Sequence, residues 1–344
     1  MFSSTSNQFT LMRPVVASTV LLAFLCAFGA VSKTASAQTA SPTPTAPPAR
    51  TAPDRNESER SDKLTGGRIE SADFEPDAPD IRLTLNVPSF RLTLWQNGKE
   101  VKSYYVGVGM KDHPIYIGDR EATQIIWNPA WIPPTSDWVL EMTGVIPGEI
   151  IKASDPRNPL GKMKIPLGDR YLIHQAAKLS DVGNLVSHGC VRMPLSDLYD
   201  LAEKIIAARS AKVSPKRIAA AKRSKRTLVV QLDAPVPVDI NYDTLVVEGG
   251  ILHIYPDVYE RRTNLVRHLR AELESSGVDV SNLKDATIRR MLSKVTHRTQ
   301  FVVETSSIAQ DSALEDGKVL PLIPRKLKQK QKEVSSKQSV VRGQ

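Results

Sequence analysis

Residues 171–193 read YLIHQAAKLSDVGNLVSHGCVRM, and this stretch decides the fold and the chemistry that the chain can support. A strand-like run ends at His174, a loop of small and polar residues returns the chain, and Cys190 follows Gly189 just before a helical pattern. A thiol has an ordinary pKa of about 8.5, which a neighbouring imidazole lowers by forming an ion pair. Gly189 allows close approach of the backbone, whose amides can bind an oxyanion. The stretch therefore predicts acyl transfer through Cys190.

Two other interpretations of these residues exist. Cys190 can be an inert buried thiol, as a lone cysteine often is. His174, His188 and Cys190 can also hold a catalytic zinc ion, since three protein ligands suffice. No acidic residue stands at the usual spacing for the general base of such a site. We therefore do not expect a zinc site.

Length and composition restrict the class of protein. The chain has 344 residues, of which 41% are hydrophobic and 24% charged, values typical of a soluble globular protein with one or two cores. Its formal net charge is +9. Two cysteines, Cys26 and Cys190, are too few for a disulfide scaffold or for a zinc module built from four thiolates.

Residues 1–37 have the three parts of a secretory signal peptide. Arg13 precedes an apolar run over residues 15–31, and Ala35-Ser-Ala37 supplies the small residues of a cleavage site. The run is short for a membrane span, and an uncleaved anchor is the alternative. We expect export to the periplasm or cell envelope, which leaves Cys190 as the sole thiol of the mature chain.

The sequence then divides into a linker and a mainly β domain. Residues 38–79 hold almost no bulky apolar side chains and are predicted to be a disordered Pro/Thr/Ser-rich linker. Alternating apolar residues begin at Ile81, and Asn97-Gly98 separates two strand-like runs, which predicts a β-hairpin. The first amphipathic helix is expected just after Pro194. Residues 80–232 are therefore predicted to be β-rich, with one or two flanking helices.

The last part of the chain is predicted to be an accessory region and a tail. Residues 233–320 contain short strands followed by two helical patches, a small α-containing extension. Residues 321–344 are predicted to be a basic disordered tail, which either binds anionic wall polymer or membrane or is simply solvated. Because no aromatic residues are interleaved with the basic runs and export is expected, we expect no nucleic-acid partner.

The sequence resembles the L,D-transpeptidase (YkuD-like) family of bacterial cell-wall enzymes over about residues 80–232. The main resemblance is Ser187-His-Gly-Cys-Val-Arg192, with a histidine sixteen residues before the cysteine. Other segments similar to that family domain are Ile81–Trp95, Trp127–Pro134, Pro147-Gly148 and Asn158–Gly161. Trp127 and Trp131 in these segments, and Trp138 after them, either line a groove or pack in the interior.

The resemblance implies that Cys190 is the nucleophile and His174 the base, with its imidazole oriented by a backbone carbonyl. The residues implied to support them are Ser187, His188, Gly189, Arg192 and Gln175. His188 either orients the loop or takes part in the chemistry, and Arg192 either binds a substrate carboxylate or braces the loop. His113 lies in a segment that departs from the family pattern, as does Gln175, and His113 has no partner in the sequence.

The implied reaction forms a 3→3 cross-link between peptidoglycan stem peptides through a Cys190 thioester, without a cofactor. Water as the acceptor would make the protein an L,D-carboxypeptidase, and a lipoprotein as the acceptor would make it a lipoprotein-to-peptidoglycan ligase. A non-catalytic protein that binds the cell wall is the alternative from another class.

Overall fold

The computed structural model describes residues 80–209 and 212–324. The predicted signal peptide, the linker and residues 325–344 of the basic tail lie outside the described residues. Within the described ranges, no helix has both the length and the apolar character needed to span a membrane.

The first part of the described chain is built on one large sheet. Its strands and helices are β1 (Ile81–Asn86), β2 (Arg91–Gln96), β3 (Lys99–Tyr105), β4 (Val108–Gly109), β5 (Gly118–Trp127), α1 (Asp137–Leu140), β6 (Met163–Pro166), β7 (Leu172–Gln175), β8 (Leu185–Ser187), β9 (Val191–Met193), α2 (Leu195–Arg209), α3 (Pro215–Arg223) and β10 (Leu228–Asn241). The large sheet has the order β3-β2-β1-β10-β5-β6-β7-β9, and β4 pairs with β8. Within the large sheet, β1 runs parallel to β10 and β7 parallel to β9, while the other neighbours are antiparallel. β4 and β8 run parallel to each other.

The hairpin at Asn97-Gly98 is confirmed. Gln96 pairs with Lys99, and the two residues between them have φ of 51° and 72°. A two-residue turn with both φ values positive matches the twist of the flanking strands, and Asn-Gly is the pair that adopts it most readily. Leu83, Leu85 and other alternating residues of these strands face the core and are almost fully buried.

The large sheet is nearly closed. The chain leaving β3 meets β9 at Gly107, which exchanges two backbone hydrogen bonds of 2.8 Å with Arg192. The core lies between this curved sheet and α2, which packs on β10, β6 and β7 through Leu198, Leu201 and neighbouring apolar residues. The predicted helix after Pro194 and the mainly β fold with flanking helices are confirmed.

The large sheet continues past residue 232, where the accessory region was predicted to begin. β10 runs as a single strand across this boundary, and its pairing with β5 shifts register between Gln231 and Val236. A bulge of this kind bends a strand without ending it. Residues 238–241 still pair with β1, so the sheet includes sequence that was assigned to the accessory region.

A smaller sheet and four helices follow. They are β11 (Leu245–Glu248), β12 (Ile251–Ile254), α4 (Val266–Ser275), α5 (Asp285–Ser293), β13 (Thr299–Glu304), α6 (Thr305–Ala309), α7 (Ala313–Asp316) and β14 (Lys318–Pro321). The strands form an antiparallel sheet in the order β11-β12-β13-β14 and share a second core with α4 and α5, which includes Leu252, Leu269 and Phe301. Strands followed by two helical patches are confirmed here.

The disordered tail was predicted to begin at residue 321, but the next residues are part of the folded structure. Leu322 and Ile323 are buried and belong to the core of the large sheet. Ile323 fills the space over Gly183, where a Cβ would lie 2.3 Å from its side chain. The apolar run Pro321-Leu-Ile-Pro324 thus anchors the end of the described chain.

Candidate active site

Two adjacent strands carry the predicted site residues. β7 pairs with β9 so that His174 lies beside Arg192, and Ile173 beside Val191. Because side chains alternate between the faces of a strand, Ile173 and Val191 enter the core while His174 and Arg192 face the other way. Cys190, two residues before Arg192, lies on the same face.

That face forms one wall of a cleft of about 1060 Å³. Cys190, His174, His188, Arg192 and Ser187 all line it. The opposite wall comes from residues 130–160, which hold a small apolar core of their own around Trp131. The structure therefore brings the predicted nucleophile and base into one open cavity.

The environment keeps Cys190 and His174 neutral. Cys190 is a free, half-buried thiol, and burial raises its pKa, although the Leu172 backbone amide, Arg192 and Lys164 act in the opposite direction. Burial, and then the charge of Arg192, lower the pKa of His174 to about 3. The sequence favoured a thiolate–imidazolium pair. Desolvation penalises both charged forms and therefore opposes such a pair in the free protein.

The pairing of β7 with β6 and with β9 sets the backbone position of His174. Its side chain is 3% exposed, and Nδ1 has no hydrogen-bond partner among the described residues. The backbone of Gln175 and of Leu160 lies near the ring and favours its charged form. A neutral imidazole is the form that can accept a proton from a thiol.

His188 is exposed and lies between aromatic rings. It stacks on Trp138, with ring centroids 4.2 Å apart, and lies 4.8 Å from His113. Burial, followed by His113, lowers the pKa of His188. His113 therefore has a partner that the sequence did not reveal, and His188 links the nucleophile turn to the far wall of the cleft. Trp138 and Trp131 line that wall, whereas Trp127 is fully buried in the core.

The turn before Cys190 depends on Gly189 and Ser187. Gly189 has φ of 107°, a conformation that side chains disfavour, and a Cβ there would lie 3.0 Å from Tyr171 Cε1. Ser187 Oγ donates a hydrogen bond of 2.5 Å to the carbonyl of Cys190. These contacts fix the direction in which the sulfur points.

Gln175 and Arg192 have different surroundings. Gln175 Oε1 accepts from the backbone N–H of Lys162 at 2.7 Å and packs on Gly161, so this side chain braces the chain before β6. Arg192 lines the cleft, 3.8 Å from Asp181, and its Nε has no hydrogen-bond partner among the described residues.

The structure adds three residues that sequence reasoning missed. Lys164 lines the cleft beside His174. Asp181 accepts hydrogen bonds from the backbone of Ala177 and Lys178 and lies beside Arg192. Tyr259, from the chain between β12 and α4, contacts the backbone that packs against Gly189. In residues 80–209 and 212–324, no group of three or more His, Cys, Asp or Glu side chains is arranged to hold a metal ion.

Comparison with known proteins identifies the domain that contains this site. A family model described as the L,D-transpeptidase catalytic domain (YkuD) matches residues 80–230. The chain is 28% identical over 133 residues to the probable L,D-transpeptidase YbiS of Escherichia coli K12, covering 38% of this chain and 43% of YbiS. It is 22% identical over 225 residues to the probable L,D-transpeptidase YcfS of the same strain, covering 60% and 67%. The match thus spans less than half the length of YbiS.

Solved structures of L,D-transpeptidases also match. The catalytic domain of the Enterococcus faecium enzyme aligns with a TM-score of 0.31 and 15% identity, covering 47% of this chain and 97% of that domain. L,D-transpeptidase 1 of Mycobacterium tuberculosis aligns with a TM-score of 0.29 and 12% identity, covering 47% and 62%. The comparison that bears on the site is the family-model match, because residues 80–230 include both strands of the site. Residues 80–230 of the chain therefore match the L,D-transpeptidase catalytic-domain family, a family of enzymes.

Proposed function

We propose that this protein is an exported peptidoglycan L,D-transpeptidase that forms 3→3 cross-links through a thioester on Cys190. The observation that carries the proposal is the pairing of β7 with β9, which opens Cys190 and His174 into the same cleft. The cleft, of about 1060 Å³, has room for a peptide donor and an amine acceptor.

The neutral pair determines the order of the proton transfers. His174 takes the proton of the Cys190 thiol as the sulfur attacks the carbonyl of the third residue of the donor stem. Backbone amides near Gly189 stabilise the oxyanion. The imidazolium then protonates the amine of the departing D-alanine, which leaves a thioester on Cys190 and neutral His174.

The second half of the reaction uses the same groups in reverse. A side-chain amine of a neighbouring stem attacks the thioester while His174 removes a proton from the amine. The imidazolium returns this proton to the sulfur, which restores the thiol and releases the cross-linked product. Water in place of the amine gives L,D-carboxypeptidase activity, and a lipoprotein amine gives ligation to the wall.

The experiment compares the native protein with Cys190→Ala, His174→Gln and the control His268→Gln, which alters an exposed histidine of α4. Purified tetrapeptide stems are incubated with each, and released D-alanine and dimeric products are measured by mass spectrometry. We expect activity from the native protein and the control, and none from Cys190→Ala. Release of D-alanine by Cys190→Ala would refute the assignment.

A carbapenem separates the enzyme from a protein that only binds the wall. A cysteine acyltransferase of this type should gain one covalent adduct, located at Cys190 by peptide mapping. An unmodified native protein that still sediments with cell walls would favour the non-catalytic alternative.

Location and additional partners are proposed from the sequence. Residues 1–37 are proposed to direct export to the periplasm or envelope, and residues 325–344, with a net charge of +6, to bind anionic wall polymer or membrane. Fractionation of cells expressing the full chain and a chain lacking residues 325–344 tests both. A cytoplasmic full-length protein would contradict the first, and equal release by salt would contradict the second.

A further inference from the structure

Lys164 belongs to a row of three basic side chains across the floor of the cleft. The pairing of β6 with β7 places Lys164 beside His174, and the pairing of β7 with β9 places His174 beside Arg192. Ile165, the next residue after Lys164, is fully buried on the core side. Since neighbouring strands lie about 4.8 Å apart, the backbones at Lys164 and Arg192 are about 10 Å apart, with His174 between them.

The charges in this row are incompletely compensated. His174 is neutral, and Arg192 shares Asp181 at 3.8 Å. Lys164 forms no hydrogen bond or ion pair with a carboxylate anywhere in residues 80–209 and 212–324. By contrast, the nearby Lys162 ammonium donates to Asn128 Oδ1 and to the carbonyl of Ser224.

The Cys190 sulfur does not neutralise the positive charge of Lys164 or Arg192. Burial raises the pKa of its thiol despite Lys164 and Arg192, so the sulfur is neutral near pH 7 in the free protein. Burial also lowers the pKa of the Lys164 ammonium, which means that its charge is partly desolvated. A desolvated ammonium facing an open cleft favours an anionic ligand that pairs with it.

We propose that Lys164, together with Arg192, forms a carboxylate-binding subsite that holds a carboxylate of the donor stem peptide beside Cys190. This inference rests on the proposed function for the identity of the ligand. A tetrapeptide stem carries a terminal carboxylate one residue beyond the attacked carbonyl, and a diamino acid that is also a dicarboxylic acid adds a second carboxylate on its side chain. Binding either one at Lys164 restricts the donor to a position where its carbonyl reaches the sulfur.

A first experiment measures the subsite without peptidoglycan. Iodoacetate and iodoacetamide alkylate the same sulfur, but only iodoacetate carries a carboxylate. The rates of modification of the Cys190 peptide are measured by mass spectrometry from pH 6 to 10 in the native protein, Lys164→Met, Lys164→Arg and the control Lys162→Met. We expect the ratio of iodoacetate rate to iodoacetamide rate to fall about tenfold in Lys164→Met and to stay near the native value in the other two variants.

Two results would overturn the subsite. One is an unchanged rate ratio in Lys164→Met. The other is that, in Lys164→Met, the reaction of Cys190 with iodoacetamide requires a higher pH while the ratio of the two rates does not change. That result would mean that Lys164 stabilises the thiolate instead of binding a carboxylate. Thermal unfolding of each variant shows that the comparison is made on folded protein, and recovery in Lys164→Arg separates the charge from the packing of the chain.

A second experiment identifies which carboxylate binds. Tetrapeptide donors amidated at the terminal carboxylate or at the diamino acid side chain are compared with the free acid. Lys164→Met should lower kcat/KM about tenfold for every donor that retains the bound carboxylate, and little for the donor in which that group is amidated. Equal losses for all donors would contradict the subsite. Inactivity of the native protein on all donors, with the alkylation ratio still dependent on Lys164, would refute the proposed function and leave an anion site.

Discussion

Replacing Tyr259 by phenylalanine tests whether the region after β12 supports the active site. The Tyr259 hydroxyl donates to the carbonyl of Gly109 at 3.0 Å and accepts from the N–H of Ile115 at 3.4 Å, and the side chain is 8% exposed. Phenylalanine keeps the ring and its stacking on Tyr242, whose centroid is 5.4 Å away. It leaves two backbone groups without their partner, and a buried unpaired group costs about 1–3 kcal/mol. We expect the free energy of unfolding to fall by about 2 kcal/mol.

The same change should reach the nucleophile. A Cβ on Gly109 would lie 2.9 Å from the Ile115 nitrogen and 3.0 Å from the Cα of Gly189, so these backbones are tightly packed. Loosening them displaces the turn that positions Cys190. Since small misplacements of reacting groups are costly, the rate of carbapenem acylation should fall in Tyr259→Phe at a temperature where the variant is fully folded.

Urea unfolding followed by tryptophan fluorescence measures the first effect. The midpoint should fall while the dependence on urea stays constant. Tyr116→Phe is the matched control, because the Tyr116 ring is 48% exposed and its stability should change by less than about 0.5 kcal/mol. If the two variants unfold at the same urea concentration, the hydrogen bonds of Tyr259 do not stabilise the fold and the reasoning fails.

Three other changes have definite expected outcomes. Gly189→Ala places a side chain at φ of 107° and should destabilise the fold by about 1–2 kcal/mol, measured by urea unfolding, and slow acylation. Asp181→Asn weakens the hydrogen bonds from Ala177 and Lys178 and the contact with Arg192, so the unfolding temperature should fall by about 2–4 °C. Folding lowers the pKa of His174 from 6.5 to about 3, so between these values the unfolded chain binds a proton that the folded protein does not. The free energy of unfolding is therefore unaffected by His174 above about pH 6.5, and it falls by about 1.4 kcal/mol per pH unit below that value. In His174→Gln, the free energy of unfolding should no longer fall in this way between pH 6 and 5. The same pH dependence in the native protein and the variant would contradict the prediction.

The sequence predicted those strands, turns and helices whose conformation depends mainly on neighbouring residues. Asn97-Gly98 specifies its hairpin because few other pairs adopt two positive φ values, and the apolar period after Pro194 specifies α2. α3 lies in a stretch rich in Lys and Arg, where Ser214 followed by Pro215 marks the helix start and Ser214 Oγ accepts from the N–H of Arg217. β13 contains the strand-favouring residues Phe301, Val302 and Val303, but its position between β12 and β14 depends on pairing with strands distant in sequence.

The residues of the site also fall into two groups, those close together in the sequence and those that only the fold brings together. Cys190, His174 and the turn between Ser187 and Gly189 occupy one short segment, and the sequence could place them together. Lys164 enters the site only through strand pairing, and Tyr259 contacts Gly109 across 150 positions of the chain. No spacing rule connects such residues, because the contact depends on the register of the sheet and on how the later region folds back.

Desolvation also explains how substrate can activate a site that is neutral when empty. Lys164 and Arg192 help to lower the pKa of His174, so in the free protein the imidazole is a weak base beside a protonated thiol. A carboxylate bound between the two cations would cancel much of their effect on His174 and raise its basicity as the donor carbonyl arrives at the sulfur. The imidazole would then take the thiol proton only when an acyl donor is in place. A site arranged in this way avoids the cost of a buried thiolate–imidazolium pair and keeps Cys190 as an unreactive thiol between turnovers.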